Sequence, residues 1–111
     1  MDSILTSVKK FVGVGESYTH FDPDIIMHIN SVFFTLYQLG IGDKPFVITG
    51  DGEEWSDFSP MAEENLEAIK SYMYLQVRLL FDPPTNAALL NAMKEMVKEY
   101  EWRLNVEVDP E

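Results

Sequence analysis

The fold is decided by residues 22–40, which read DPDIIMHINSVFFTLYQLG. Asp22 precedes a proline and a second acid, an order typical of a helix start, with an N-cap acid followed by proline at the first helical position. Large apolar residues then recur every three or four positions, which is the period of an amphipathic helix, and Gly40 closes the pattern. We therefore predict a helix over residues 22–40 whose wide apolar face contacts more than one neighbour. Its main stripe consists of Ile25, Ile29, Val32, Leu36 and Leu39.

Three further segments show the same helical period. We predict helices over residues 3–12, 62–81 and 85–104. The last two are separated by Asp82-Pro83-Pro84, because a residue before proline avoids the helical conformation. The sequence thus predicts a mainly α protein, a small four-helix bundle that forms one domain over residues 1–104, followed by an extended tail over 105–111. Residues in the middle of the stripes should form its core: Ile29, Leu36, Met73, Leu80 and Met93.

Residues 41–61 form a loop in which the helical period is broken. Residues 46–49 are β-prone, and glycine-rich turn signals lie on both sides of them. We predict that they pair with residues 53–56 as a short β-hairpin. Trp55 and Phe58 then fold back on the bundle. The acids near the tip remain in solvent: Asp51, Glu53, Glu54 and Asp57.

The charge of the chain is strongly acidic and unevenly placed. There are 19 acids and 8 bases, which gives a net charge of −11. Residues 51–67 alone contain seven acids (positions 51, 53, 54, 57, 63, 64 and 67) and no base. Sequence-independent binding to nucleic-acid phosphates needs clustered Lys and Arg, so the acidic composition disfavours it. Two interpretations of the acidic block stay open: an ordinary solvated surface, or an electrostatic surface that repels DNA or meets a basic partner.

Several function classes find no support in the sequence. The absence of cysteine excludes disulfides and thiolate metal sites, and the apolar runs are too short to span a bilayer. No nucleophile elbow, phosphate-binding loop or EF-hand spacing is present. His20, Asp22, Asp24 and His28 include metal-ligating residue types, but Asp22 is expected to cap a helix, and the spacing of Asp24 and His28 suits a helix-surface pair. We therefore predict no enzyme, no metal and no cofactor.

The aromatic residues are more numerous than a core of this size needs. Phe34, Tyr74 and Trp102 fall outside the main stripes of their helices. They are either exposed remnants of a broad core or contacts between subunits, where aromatic residues are enriched. Arg78 stands between two apolar residues and either extends into solvent or pairs with an acid on a neighbouring copy. The candidate subunit-interface residues are Phe34, Tyr74, Arg78 and Trp102.

Two segments near the C-terminus carry a family resemblance. Residues 71–84, SYMYLQVRLLFDPP, and residues 101–106, EWRLNV, resemble the head–tail connector proteins of tailed bacteriophages, also described as head-completion adaptors or DNA-packaging proteins. Residues 18–26, YTHFDPDII, and the order of the elements fit the same family. The resemblance covers nearly the whole chain, and its motifs are structural and not catalytic.

The resemblance implies a non-enzymatic ring of about a dozen copies in the virion, at the head–tail interface, with assembly in the host cytoplasm. Its partners would be the portal protein and a stopper or tail-completion protein, with DNA passing through without sequence-specific binding and no membrane involved. The loop with Asp51, Glu53, Glu54 and Asp57 would approach the DNA channel. The C-terminal segment would contact the portal through Val106, Val108 and Asp109.

A second function class is compatible with the same composition. An acidic binding protein, such as a DNA mimic or an inhibitor of a basic nucleic-acid enzyme, also carries a large negative charge. A mimic is expected to spread its acids along one face at phosphate-like spacing. In this sequence the acids are concentrated in residues 51–67, while the helical segments are nearly neutral. The charge pattern therefore favours the connector ring.

Overall fold

Helices account for the regular structure of the chain. The computed structural model describes residues 3–42, 44–58 and 66–108. Within these ranges the mainly α architecture is confirmed, with five helices and no strand. The helices are α1 (Ile4–Val12), α2 (Asp22–Gln38), α3 (Trp55–Phe58), α4 (Leu66–Phe81) and α5 (Ala87–Val108).

Helix α4 is the centre of the bundle. It packs against α1, α2 and α5, and α1 also packs against α2. Ile69, Tyr72 and Met73 of α4 are fully buried. Helix α5 has α4 as its main neighbour, and its buried residues Met93, Val97 and Leu104 follow a spacing of four and seven that keeps them on one face. The other faces of this long helix are therefore left to solvent or to partners.

A buried polar network joins α4 to α5. The Tyr72 hydroxyl donates to Glu101 Oε2 at 2.7 Å and accepts from Gln76 Nε2 at 3.1 Å. Burial and the neighbouring Glu101 carboxylate raise the pKa of the Tyr72 phenol well above its ordinary value. Tyr72 therefore contributes both a large apolar ring and a satisfied hydrogen bond to the core.

Helix α1 begins and ends with capping residues. Ser3 Oγ accepts a hydrogen bond from the Thr6 N–H at 3.1 Å, which is N-capping. Gly13 adopts the left-handed conformation with φ of 85° and ends the helix, as its position in the sequence predicted.

The junction between α1 and α2 contains a buried ion pair. Lys9 Nζ lies 2.8 Å from Asp22 Oδ1 and donates to the Glu16 carbonyl at 3.0 Å, and Lys9 is almost fully buried. The prediction that Asp22 caps α2 was wrong. The cap residue is Phe21, which makes no side-chain cap bond. Asp22 instead neutralises a lysine that burial would leave unpaired at considerable cost.

Helix α5 differs from its predicted extent at both ends. It begins at Ala87, where Asn86 Oδ1 accepts from the Leu89 N–H at 3.0 Å. It continues to Val108, so the extended tail predicted from residue 105 was wrong over 105–108. Neither glycine nor proline occurs between Ala87 and Val108, so this stretch contains no helix breaker. Residues 109–111, and residues 59–65 of the predicted loop and helix, lie outside the described part of the chain.

The predicted core was correct except at one position. Ile29, Leu36, Met73 and Met93 are buried, whereas Leu80 is 49% exposed. Leu80 lies in the last turn of α4, where Leu79 and Phe81 turn toward the core in its place. The apolar stripe therefore shifts around the helix as α4 ends.

The predicted β-hairpin does not form. Among residues 44–58 no strand is found, and residues 55–58 form α3, a single helical turn. The backbone groups that a hairpin would pair across two strands are bonded to side chains instead, as described below. Trp55 is buried and Phe58 packs against the core, so the prediction that both fold back on the bundle is confirmed.

Candidate functional site

Side-chain hydrogen bonds join the loop between α2 and α4 to the bundle at two points. Asn30 of α2 holds Ile48 on both sides: Asn30 Oδ1 accepts from the Ile48 N–H at 2.8 Å, and Asn30 Nδ2 donates to the Ile48 carbonyl at 3.0 Å. Trp55 Nε1 donates to Ser7 Oγ of α1 at 3.1 Å. Because both ends of the turn are bonded to helices, its position relative to the bundle is defined.

The tip of this loop is a turn organised by the Glu53 side chain. Glu53 Oε2 accepts from both the N–H and the hydroxyl of Thr49, each at 3.0 Å. Burial acts to raise the pKa of the Glu53 carboxyl, but hydrogen bonds from Thr49 and from the backbone of Gly50 and Glu53 outweigh it, so this pKa lies below its ordinary value. The Glu53 carbonyl also accepts from the Ile4 N–H at 2.9 Å, which joins the tip to the start of α1.

The four acids predicted to face a channel have two different roles. Glu53 closes the turn, and Asp57 Oδ2 accepts from the Glu54 N–H at 2.9 Å, which stabilises the start of α3. Asp51 is exposed and Glu54 is half-buried, and the Glu54 side chain takes no part in these bonds. Asp51 and Glu54 are therefore the acids that are available for a purely electrostatic role.

An open depression of about 450 Å³ lies beside the tip, between α1 and the start of α2. Lys9, Glu16, Asp22 and Asp51 line it together with neutral side chains. Within the described residues, no group of three or more His, Asp or Glu side chains is arranged to hold a metal ion. His20 instead packs its ring against Phe21 at a centroid distance of 5.0 Å.

The four candidate interface residues are placed on three helices. Trp102 on α5 is 67% exposed and Phe34 on α2 is 49% exposed. Tyr74 is half-buried because its ring stacks on Phe11 at 5.0 Å. Arg78, one turn further along α4, donates from Nε to the Asp82 carbonyl at 2.6 Å, so it bonds the end of its own helix.

Two of the three candidate portal-contact residues lie in a helix. Val106 and Val108 belong to the last turn of α5, and Asp109 lies outside the described residues.

The part of the chain that the structure describes contains no helix both long and apolar enough to cross a membrane.

Sequence reasoning missed a set of exposed apolar residues. Met27, on the outer side of α2, is 60% exposed, and Leu89 and Met96 on α5 are about half exposed. A signal for the α2 surface exists in the sequence: between Asp24 and Gln38 there is no Asp, Glu, Lys or Arg. Because this helix face is open to solvent and free of charge, it is a candidate interaction surface.

These features describe a helical protein with an acidic loop that is bonded to the bundle and with exposed apolar side chains on α2 and α5. The chain matches the family model described as "Phage connector protein" over residues 4–111, and it belongs to this family. No curated protein and no solved structure matches it. The resemblance seen in the sequence is thereby confirmed at the level of the family.

Proposed function

We propose that this phage connector protein forms a ring between the portal and the tail or stopper, extends the DNA channel, and completes the head after packaging. The family match over residues 4–111 is the observation that carries the proposal. A family of connector proteins has a structural role in the virion and contacts other head or tail proteins. The exposed aromatic side chains of Phe34 and Trp102 support contacts between copies.

The acidic loop is assigned to the channel wall. Asp51 and Glu54 are the residues that act on DNA, and they act by repulsion, since a carboxylate near a phosphate raises the energy of both. The bonds that join Ile48 to Asn30 and Trp55 to Ser7 support this role because they fix the path of the loop relative to the helices. DNA then slides along the wall without being recognised.

The C-terminal segment is assigned to the portal contact, through Val106, Val108 and Asp109. Helix α5 extends through the first two of these residues, which supports a rigid projection and not a loose tail.

The family match favours the connector ring over a DNA mimic, whose charge would have to follow the spacing of phosphates.

Light scattering coupled to size-exclusion chromatography tests the ring. The chain is run alone and with its cognate portal, and a species of ring size in at least one of the two supports the proposal. Phe34→Ala and Trp102→Ala should reduce that species, while Tyr18→Ala, at an exposed aromatic outside the proposed interface, serves as the matched control. A chain that stays monomeric under both conditions contradicts the proposal.

A further inference from the structure

Helix α2 presents an outer stripe of uncharged residues: Met27, Ser31 and Phe34. Met27 and Phe34 are seven residues apart, which places them on the same side of the helix about 10.5 Å apart. The smaller Ser31 lies between them and is exposed. The stripe therefore has a large–small–large profile with a gap in its middle.

Helix α5 presents the same profile on one flank: Leu89, Ala92 and Met96. Leu89 and Met96 are also seven residues apart, with the small, exposed Ala92 between them. Two helices with this profile fit when the large side chains of each enter the gaps of the other. The two stripes are thus complementary in shape and in apolar character.

The two stripes lie on exposed faces of helices that make few contacts with each other. Both α2 and α5 pack on α4, which is the main neighbour they share. One copy cannot bring its own two stripes together, whereas two copies can. A contact between unlike faces passes from copy to copy and closes into a ring when the rotation allows.

Charge also favours this pairing between copies. With a net charge of −11, two copies repel each other wherever their acidic loops approach. The α2 stripe is free of charge, and Arg103 lies two turns beyond Met96, where it pairs with Glu99 of its own helix at 2.7 Å. When the two helices run antiparallel, this arginine approaches Asp24 of the neighbouring copy. Asp24 has no ion-pair partner in the described part of its own chain.

We infer that the outer stripe of α2 (Met27, Ser31, Phe34) binds the flank of α5 (Leu89, Ala92, Met96) of a second copy of this chain, antiparallel, as the repeating contact of the assembly. This contact rests on the ring proposed above and specifies which faces meet. It requires the α2 stripe to be occupied by the chain itself and not by another protein.

The absence of cysteine makes cross-linking a clean test. Ser31→Cys and Ala92→Cys replace exposed small residues and are combined in one full-length chain, which is assembled and treated with a short thiol-reactive bifunctional reagent. We expect a ladder of covalent dimers, trimers and larger species. Each single variant alone should give no dimer, and a mixture of the two single variants should stop at the dimer.

A matched pair controls for random collision. Lys98 is exposed on the same helix as Ala92 but about 120° around its axis. Ser31→Cys with Lys98→Cys should therefore give several-fold less cross-linking. In addition, Asp24→Lys should reduce the yield of the Ser31–Ala92 cross-link several-fold, and an unchanged yield would overturn the antiparallel orientation.

The outcomes separate the contact from the ring. A species of ring size without the ladder overturns the contact and leaves the proposed function standing. Dimers from Ser31→Cys alone overturn it in favour of a symmetric α2–α2 contact. Cross-linking of Ser31→Cys only to the portal or tail protein shows a different occupant and also overturns it. If no assembly forms with or without the portal, the proposed function itself fails.

Discussion

Asn30 and Ile48 are joined by two hydrogen bonds, at 2.8 and 3.0 Å, although 18 residues separate them in sequence. The side-chain amide of Asn30 thereby satisfies both the N–H and the carbonyl of Ile48, as the backbone of a partner strand would in a β-sheet. Ile48 is almost fully buried, so its N–H and carbonyl need partners other than water. This one side chain therefore fixes the loop to α2 at Ile48.

Replacing Asn30 with alanine should therefore loosen the loop. Asn30→Ala leaves the buried N–H and carbonyl of Ile48 unsatisfied, and we expect a loss of about 1–3 kcal/mol in the free energy of unfolding. Urea denaturation measures the loss. Asn91→Ala, at an exposed asparagine of α5, is the control and should change stability by less than about 0.5 kcal/mol. Equal stability of the two variants would show that the Asn30–Ile48 bonds do not hold the loop.

Adding bases at the tip should convert a repelling surface into a binding one. Asp51→Lys with Glu54→Lys should leave the fold intact, because Asp51 is exposed and the half-buried Glu54 side chain takes no part in the hydrogen bonds of the turn described above. The assembled protein should then bind DNA, and the logarithm of the binding constant should fall with the logarithm of salt concentration by about 0.9 for each phosphate contacted. In a phage, heads should form but DNA retention or ejection should fail.

The matched control for this variant is Asp51→Asn with Glu54→Gln, which removes the acids without adding bases and should not bind DNA. Glu53 and Asp57 are left unchanged in both variants because their carboxylates accept backbone hydrogen bonds. If the lysine variant binds no DNA and supports normal infection, the acidic block is an ordinary solvated surface.

The stability of the turn at the tip should depend on pH through the ionisation of the Glu53 carboxyl. Because its pKa is lowered in the folded protein, the ionised carboxylate contributes stability above the ordinary value of about 4.5 and loses that contribution as pH falls through the lower, folded value. Glu53→Gln should therefore be less stable than wild type at neutral pH, and the difference should shrink in acid. Denaturation midpoints from neutral pH to about pH 3 measure it. A difference that grows in acid would contradict the assignment.

The hydroxyl group of Tyr72 should contribute substantially to the free energy of unfolding. Tyr72→Phe retains the ring but removes the bond to the Glu101 carboxylate, and a hydrogen bond to a charged group contributes about 1.5–3 kcal/mol. In the wild type, the raised pKa of the Tyr72 phenol makes it the last tyrosine to ionise. Tyr72→Phe should therefore lack the last tyrosine step of an alkaline absorbance titration. Tyr37→Phe, at a more exposed tyrosine of α2, is the control and should change stability little. If Tyr72→Phe is as stable as wild type, the network does not hold α5 to α4.

Two residues of α4 should respond very differently to truncation. Met73 is fully buried, so Met73→Ala should cost about 2–5 kcal/mol. Leu80 is half exposed, and Leu80→Ala removes fewer contacts and leaves no enclosed cavity, so its cost should be less than half as large. Thermal or urea unfolding of both variants measures the two losses. A larger loss at Leu80 would mean that α4 is rotated relative to the described register.

The helices could be predicted from sequence because their signals are local. The three-and-four spacing in residues 22–40 and the glycine at position 13 act within one or two turns of the chain. The path of the loop could not be predicted, because Asn30 is a polar residue in the middle of a helix, and nothing near it in sequence indicates that its amide binds Ile48.

The role of Asp22 was missed for a similar reason. An acid before a proline is a normal helix cap, and its actual partner, Lys9, lies 13 residues earlier and on another helix. In the candidate site, the sequence identified the acidic loop and two of the exposed aromatics. It did not separate Asp51 and Glu54 from Glu53, because that distinction depends on which carboxylate the turn encloses.

The burial of Lys9 has a practical consequence. Its amine lies between Asp22 and the Glu16 carbonyl and is shielded from reagents. Acetylation under native conditions should therefore modify the exposed Lys94 and Lys98 quickly and Lys9 only when α1 separates from α2 by local opening. Mass spectrometry then measures the acetylation rate of the Lys9 amine, which reports the rate of that local opening. The same measurement can be made on the free chain and on the assembled particle without an added label.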